Sequence, residues 1–228
     1  MTSGTLYGIG VGPGESDLLT LKAALLLQTV PVLAWPAPLE GEGMARTIAA
    51  SFIPPGKVEI AIRMGFGPER DGADAAYDAG AAEIAAHLDA GRDVAVLCEG
   101  DPLFFGTFAY LLARLRRFPV LVVPGVASPM AAAALLAQPL SNLDDSLVVV
   151  PATRPEDEIE RLLAAADSAV VMKIGRHLAK VARVLARLGL TDGARVVERV
   201  GLDGQRVLSV DEALTGPPAY FSLILVRK

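Results

Sequence analysis

Short β-branched runs alternate with Ala- and Leu-rich stretches along this chain, and that alternation constrains its fold more than any other feature. "GTLYGIG", "PVLAW", "VEIAI", "DVAVLC" and "PVLVV" read as strands near 4–10, 31–35, 58–62, 93–98 and 119–123. Helical stretches near 16–29, 43–52, 73–90 and 104–116 fall between them, the third with Ala75, Ala79, Ala82, Ala85 and Leu88 at helical spacing. Parallel neighbours need a long crossover, usually a helix. The rhythm therefore predicts a mostly parallel sheet with helices on its faces.

The texture changes after Pro124-Gly125. A helix is expected near 127–137, strands near 146–150 and 168–173, and a helix near 176–188. "ARVVERVGLDGQRVLSV" holds two strand-like runs joined at Asp203-Gly204, a hairpin signal, and "AYFSLILVRK" reads as one more strand. The expectation is an α/β protein of two lobes: residues 1–122 with a mostly parallel sheet, residues 123–228 with a mixed sheet. A ligand cleft is expected between them, because domain interfaces commonly hold ligands.

Of the 228 residues, 52% are hydrophobic and 21% charged, so a sizeable core can form and disorder is excluded. The net charge is −5 and no basic stripe runs through the sequence, which argues against nucleic acid as a partner. Cys98 is the single cysteine, and His87 and His177 sit in helix-like surroundings. Neither a disulfide nor a metal centre is expected. "MTSGTLYGIGVGPG" lacks a charged opening followed by a long apolar run, and apolar stretches such as 132–137 are too short to span a bilayer. The expectation is a cytoplasmic protein without membrane partners.

Three loops interrupt strand-to-helix transitions. In "YGIGVGPGESDLLTLKA" a strand runs into glycines and a proline, and Ser16 or Asp17 is the expected N-cap of the next helix. The spacing is not G-x-G-x-x-G: counted from Gly8, Gly10 or Gly12, the last place falls on Pro13, Glu15 or Asp17. Proline removes a backbone N–H and the two acids repel phosphate. The loop suits an uncharged or cationic ligand approached by backbone, or simply a tight turn with several positive φ angles. In "CEGDPLFFGTF" Gly100 permits an unusual φ, and Asp101 is expected to cap a helix with Pro102 in its first turn. Glu99 and the cluster Phe104, Phe105 and Phe108 follow the strand end, where open α/β sheets hold ligands; ordinary core packing would equally use the aromatics. "VPGVASPMAAAALL" repeats the strand, Pro-Gly break and helix, so three such loops are expected at one edge of the sheet.

"GIGVGPGESDLLTLKA", "CEGDPLFFGTF" and "VPGVAS", in that order, resemble the tetrapyrrole (corrin/porphyrin) methylases over Thr5 to Arg227. The resemblance implies an enzyme of two α/β lobes, homodimeric, using S-adenosyl-L-methionine and releasing S-adenosyl-L-homocysteine. The first lobe would carry the tetrapyrrole side of the cleft and the second would complete the cofactor site. Within the family, "GTLYGIGVGPG", "CEGDPLFFGTF" and "PAYFSLILVRK" are most similar to the enzymes that methylate C20 of precorrin-2, giving precorrin-3A, in cobalamin biosynthesis.

By resemblance, Pro13, Glu99, Gly100, Asp101 and Phe104 line the cofactor site, with Glu99, Gly100 and Asp101 acting largely through backbone. Ala127 and Ser128 would hold the methionine moiety or adenosine, Met172 would pack on the cofactor, and Val200 or Gly201 would bracket the adenine. Arg46, Arg63 and Arg70 are the candidates for the substrate's carboxylates, which arginine pairs in bidentate fashion. Some relatives carry an aspartate after the second strand, where this chain reads "VLAWPAPLE", so no catalytic residue is transferred. The rival readings are a corrin methylase acting at another ring carbon or on cobalt-containing factor II, a methylase of protein or ribosomal RNA, a nucleotide-dependent oxidoreductase, and a tetrapyrrole-binding module without activity.

Overall fold

The computed structural model describes residues 2–65 and 73–228. The chain divides into two compact units, Met1–Ala127 and Ser128–Lys228.

The first unit runs β1 (Leu6–Gly10), α1 (Leu21–Thr29), β2 (Val32–Ala37), α2 (Met44–Ile48), β3 (Val58–Arg63), α3 (Ala73–Asp89), β4 (Val94–Cys98), α4 (Phe108–Arg114) and β5 (Val120–Val123). Its five strands are all parallel in the order β3-β2-β4-β1-β5. β2 and β4 are buried along their whole length, as central parallel strands with helices on both faces must be. Alternation along β4 sends Val94, Val96 and Cys98 to one face, against Ile84 and Leu88 of α3 and Phe108 and Leu111 of α4. Ala95 and Leu97 point the other way, into a layer with Trp35, Ala23 and Leu27 of α1, and Ala45 and Ile48 of α2.

The second unit runs α5 (Ser128–Leu135), β6 (Leu147–Pro151), α6 (Glu156–Ala165), β7 (Ser168–Met172), α7 (Leu178–Arg187), β8 (Ala194–Glu198), β9 (Arg206–Leu208), α8 (Val210–Ala213) and β10 (Ser222–Arg227). The strand order is β6-β7-β10-β8-β9. β6 and β7 are parallel, whereas β10 is antiparallel to both β7 and β8, and β8–β9 is the expected hairpin. The mixed sheet expected from the sequence is therefore present. α7 buries Leu178, Val181, Val184 and Leu185 at the 3–4 residue spacing of one helix face and turns Arg183 and Arg187 toward Glu156 and Glu160 of α6.

Several local expectations need correction. α6 was not foreseen: in "EDEIERLLAA" only Ile159 and Leu163 are buried, so charge hides the apolar stripe. The first helix is not capped by Ser16 or Asp17, which lie in a single 3-10 turn; Thr20 caps α1 by accepting from the Ala23 N–H at 3.2 Å. The helix expected from about 104 begins only at Phe108, because Phe105 adopts φ +56 and breaks any helix entered at Pro102. Among the described residues no helix is long and apolar enough to cross a membrane.

Candidate functional site

β1, β4 and β5 are adjacent and parallel, so the three loops that follow them leave the same edge of the first unit's sheet, as the sequence predicts. They meet backbone to backbone. The Val11 N–H donates to the Cys98 carbonyl at 2.9 Å, and Gly12 and Gly100 exchange both of their hydrogen bonds, at 3.3 and 2.7 Å. A Cβ on Gly125 would lie 2.1 Å from the Gly100 carbonyl oxygen and 2.8 Å from the Gly10 Cα, and one on Gly10 would lie 2.6 Å from the Gly125 N and Cα. No side chain fits between these loops, which is why all three carry glycine at the contact.

Asp101 ties the arrangement together. Its Oδ1 accepts from the Leu103 N–H at 2.9 Å and the Phe104 N–H at 3.1 Å, and its Oδ2 accepts from the Gly125 N–H at 3.1 Å. The expected cap is thus real in chemistry but not in target: the carboxylate closes a turn and clamps the loop after β5, and it does not start a helix.

Glu99 behaves differently. It is half-buried, and its Oε1 accepts from the Ala45 N–H of α2 at 3.1 Å. Burial raises its proton affinity above that of an ordinary glutamate, against the opposing pull of backbone hydrogen bonds. Cys98, on the opposite face, is pushed up to about 12 by burial and then by the neighbouring Glu99 charge, so its thiol stays protonated. Among the described residues the Trp35 indole N–H is buried without a hydrogen-bond partner.

The remaining sequence-predicted residues fall as follows. Pro13 is buried directly after the Gly12–Gly100 bridge. Phe104 is half-buried and meets Phe105 edge-to-face at 5.1 Å, whereas Phe108 is core beneath the sheet and no part of a pocket wall. Ala127 is buried at the end of the first unit, and Ser128 opens α5. In the second unit Met172 packs with Val200, Val197 and Ala132 in one cluster. Val200 and Gly201 lie in the turn between β8 and β9, where the Gly201 N–H donates to the Gln205 side chain at 2.7 Å.

Of the arginines, Arg46 makes a bidentate pair with Glu59 at 2.8 and 3.0 Å, and Arg63 donates to the carbonyls of Pro38, Leu39 and Gly41. Arg70 lies outside the described residues. Among those residues no group of three or more His, Cys, Asp or Glu is placed to hold a metal.

Sequence reasoning missed two participants. The N–H of Ala45 holds Glu99 across 54 residues of chain, for which no local signal exists. Glu198, 1% exposed, accepts from Nε of Arg206 at 2.9 Å and from the Ala219 N–H at 3.1 Å, and so fixes both ends of the turn carrying Val200 and Gly201. Its place just before that turn was the available clue.

The three loops of the first unit, residues 10–17, 99–106 and 124–127, contain no Lys, Arg or His.

The family model for tetrapyrrole (corrin/porphyrin) methylases matches residues 5–214. The cobalamin biosynthesis protein CobIJ of Mycobacterium tuberculosis is 42% identical over 98% of this chain, and the chain spans about half of it (46%). Precorrin-2 C(20)-methyltransferase of a Sinorhizobium species is 41% identical over 98% of this chain and 95% of its own length. Cobalt-precorrin-2 C(20)-methyltransferase of Salmonella typhimurium is 34% identical over 99% and 97%. Among solved structures, uroporphyrin-III C-methyltransferase of Thermus thermophilus, complexed with S-adenyl homocysteine, has a TM-score of 0.72 at 23% identity and covers 99% of this chain and 98% of its own, a likeness of fold.

Proposed function

Because this chain belongs to the tetrapyrrole (corrin/porphyrin) methylases, we propose that it is an S-adenosyl-L-methionine-dependent methyltransferase of cobalamin biosynthesis, methylating C20 of precorrin-2 to give precorrin-3A. The observation that carries this reading is the 41% identity with a precorrin-2 C(20)-methyltransferase, end to end on both chains. Loops without Lys, Arg or His after β1, β4 and β5 are compatible with a sulfonium cofactor, and S-adenyl homocysteine in a protein of the same fold supports it.

When bound, S-adenosyl-L-methionine supplies a methyl group on a positively charged sulfur that departs as a neutral thioether. The chain's own task is then to orient and enclose. Gly100, held at φ +64 by its bridge to Gly12, presents backbone at the edge, and Asp101 fixes that presentation by clamping the loop of Gly125. Pro13, the backbone of Glu99, Phe104, Ala127 and Ser128 complete the proposed surroundings of the cofactor. Met172, Val200 and Gly201, of the second unit, belong to the proposal by family resemblance. Arg46 and Arg63 are the proposed partners of substrate carboxylates, exchanging Glu59 and the 38–41 carbonyls for them on binding. Arg70 belongs to the same proposal.

A second reading, action on the cobalt-containing ring, is favoured by the Salmonella relative at 34% identity. A single-turnover assay separates the two. Methyl-labelled S-adenosyl-L-methionine is offered with metal-free precorrin-2 or its cobalt form, and the product is analysed by mass and NMR. One methyl at C20 of the metal-free ring is expected. Transfer to the cobalt form alone selects the second reading, and transfer to another carbon overturns both. We also propose a homodimer working in the cytoplasm, by family resemblance; sedimentation of the purified protein tests the dimer.

A further inference from the structure

The C20 reaction must lose a proton, and the first unit's sheet edge carries one carboxyl group suited to take it. Methylation at C20 breaks the S–CH3 bond, leaves its electron pair on sulfur and forms a C–C bond. The ring then carries a positive charge until the C20–H bond returns its electrons to the macrocycle. We propose that the Glu99 carboxylate accepts this proton, becoming a carboxylic acid that releases it to solvent as product leaves. The inference rests on the C20-methyltransferase reading.

Four observations favour Glu99 over its neighbours. It follows β4 directly and precedes Gly100 and Asp101, so it stands at the edge where the cofactor loops converge. Its carboxylate reaches the N–H of Ala45, a residue that packs with Trp35, Ala95 and Leu97 in an apolar layer. No Lys, Arg or His forms an ion pair with it among the described residues, since Arg46, the cation on α2, is engaged by Glu59. Finally, its one long-range hydrogen bond, from the Ala45 N–H, would be served as well by an amide oxygen, so structure alone does not call for a carboxylate there.

The other acidic and thiol groups at this edge do not qualify. Asp101 is clamped by three backbone N–H groups, from Leu103, Phe104 and Gly125. Glu15 and Asp17 are exposed to solvent. Cys98 faces the opposite layer and keeps its proton. Burial raises the proton affinity of Glu99, which moves a carboxylate toward the strength of a useful base.

The substitution Glu99→Gln isolates the proposal, because the amide oxygen still accepts from the Ala45 N–H and only the basic group is removed. Single turnover with metal-free precorrin-2 should slow by about 100-fold or more, in the range of general-base contributions. Affinity for S-adenosyl-L-homocysteine and melting temperature should stay at wild-type values. With C20-deuterated precorrin-2 the slowed variant should show a primary isotope effect. A Glu99→Gln protein that turns over within about threefold of wild type overturns the proposal, and so does a slow variant that has also lost its cofactor affinity or its fold. If the wild type transfers no methyl to C20, the function reading fails and this inference with it; if wild type transfers and the variant equals it, only the inference fails.

Discussion

The two units build the turns at their strand ends in opposite ways. In the first, Gly10, Gly100 and Gly125 let three loops touch through bare backbone, with Asp101 as the one side chain that locks them. In the second, the turn between β8 and β9 passes through Arg199 at φ +53, a conformation unfavourable for a non-glycine residue. Side chains hold it there: Glu198 binds Arg206 and the Ala219 N–H, Gln205 accepts from the Gly201 N–H, and Arg199 Nε donates to the Asp203 carbonyl at 2.6 Å. Close approach is obtained by deleting side chains in one unit and by a hydrogen-bonded network in the other. A glycine contact fails abruptly when an atom is added, whereas a network fails by degrees.

Substitutions should reveal that difference. Gly125→Ala places a carbon 2.1 Å from a backbone oxygen that cannot swing aside, so it should cost about 3 kcal/mol or more in urea unfolding and abolish S-adenosyl-L-homocysteine binding. A Gly125→Ala protein of normal stability and affinity would break the account of the first unit. Glu198→Ala leaves the half-buried Ala219 N–H unpaired and Arg206 without its partner; about 2 kcal/mol is expected, with weaker but measurable cofactor binding. Ser209→Ala removes the capping box of α8, in which Ser209 and Glu212 satisfy each other's N–H groups, and should cost about 1 kcal/mol without touching binding. Arg187→Ala on the exposed face of α7 breaks its pairs with Glu156 and Glu160, and the smallest change of the four is expected in thermal melts, because exposed ion pairs are screened by solvent.

The same contrast explains what the sequence discloses. Glycines and prolines are visible as letters at strand ends, so the three loops of the first unit and their shared edge follow from the alternation of strands and helices. The hairpin at Asp203-Gly204 is legible for the same reason, and the mixed sheet follows from it. Contacts between distant side chains and backbone leave no local trace. Nothing in "CEGDP" indicates that Glu99 reaches Ala45, or that Asp101 clamps Gly125. Phe105 at φ +56 delays α4 to Phe108, although "PLFFGTF" reads as a helix opening. α6 escapes notice because its two buried residues, Ile159 and Leu163, are framed by charge. The arginines chosen for substrate by charge alone are engaged within the fold, by Glu59 for Arg46 and by carbonyls for Arg63.

The central claim is that the glycine-packed edge of the first unit receives the cofactor, and a crystal structure with S-adenosyl-L-homocysteine tests it most directly. The account predicts the ligand against the backbone of Gly100 and Asp101, with Pro13 and Ala127 beside it. Ligand bound elsewhere, for example in the groove of about 470 Å³ lined by Thr191, Arg195, Val207 and Glu212, with the Gly12–Gly100 edge left bare, would contradict it.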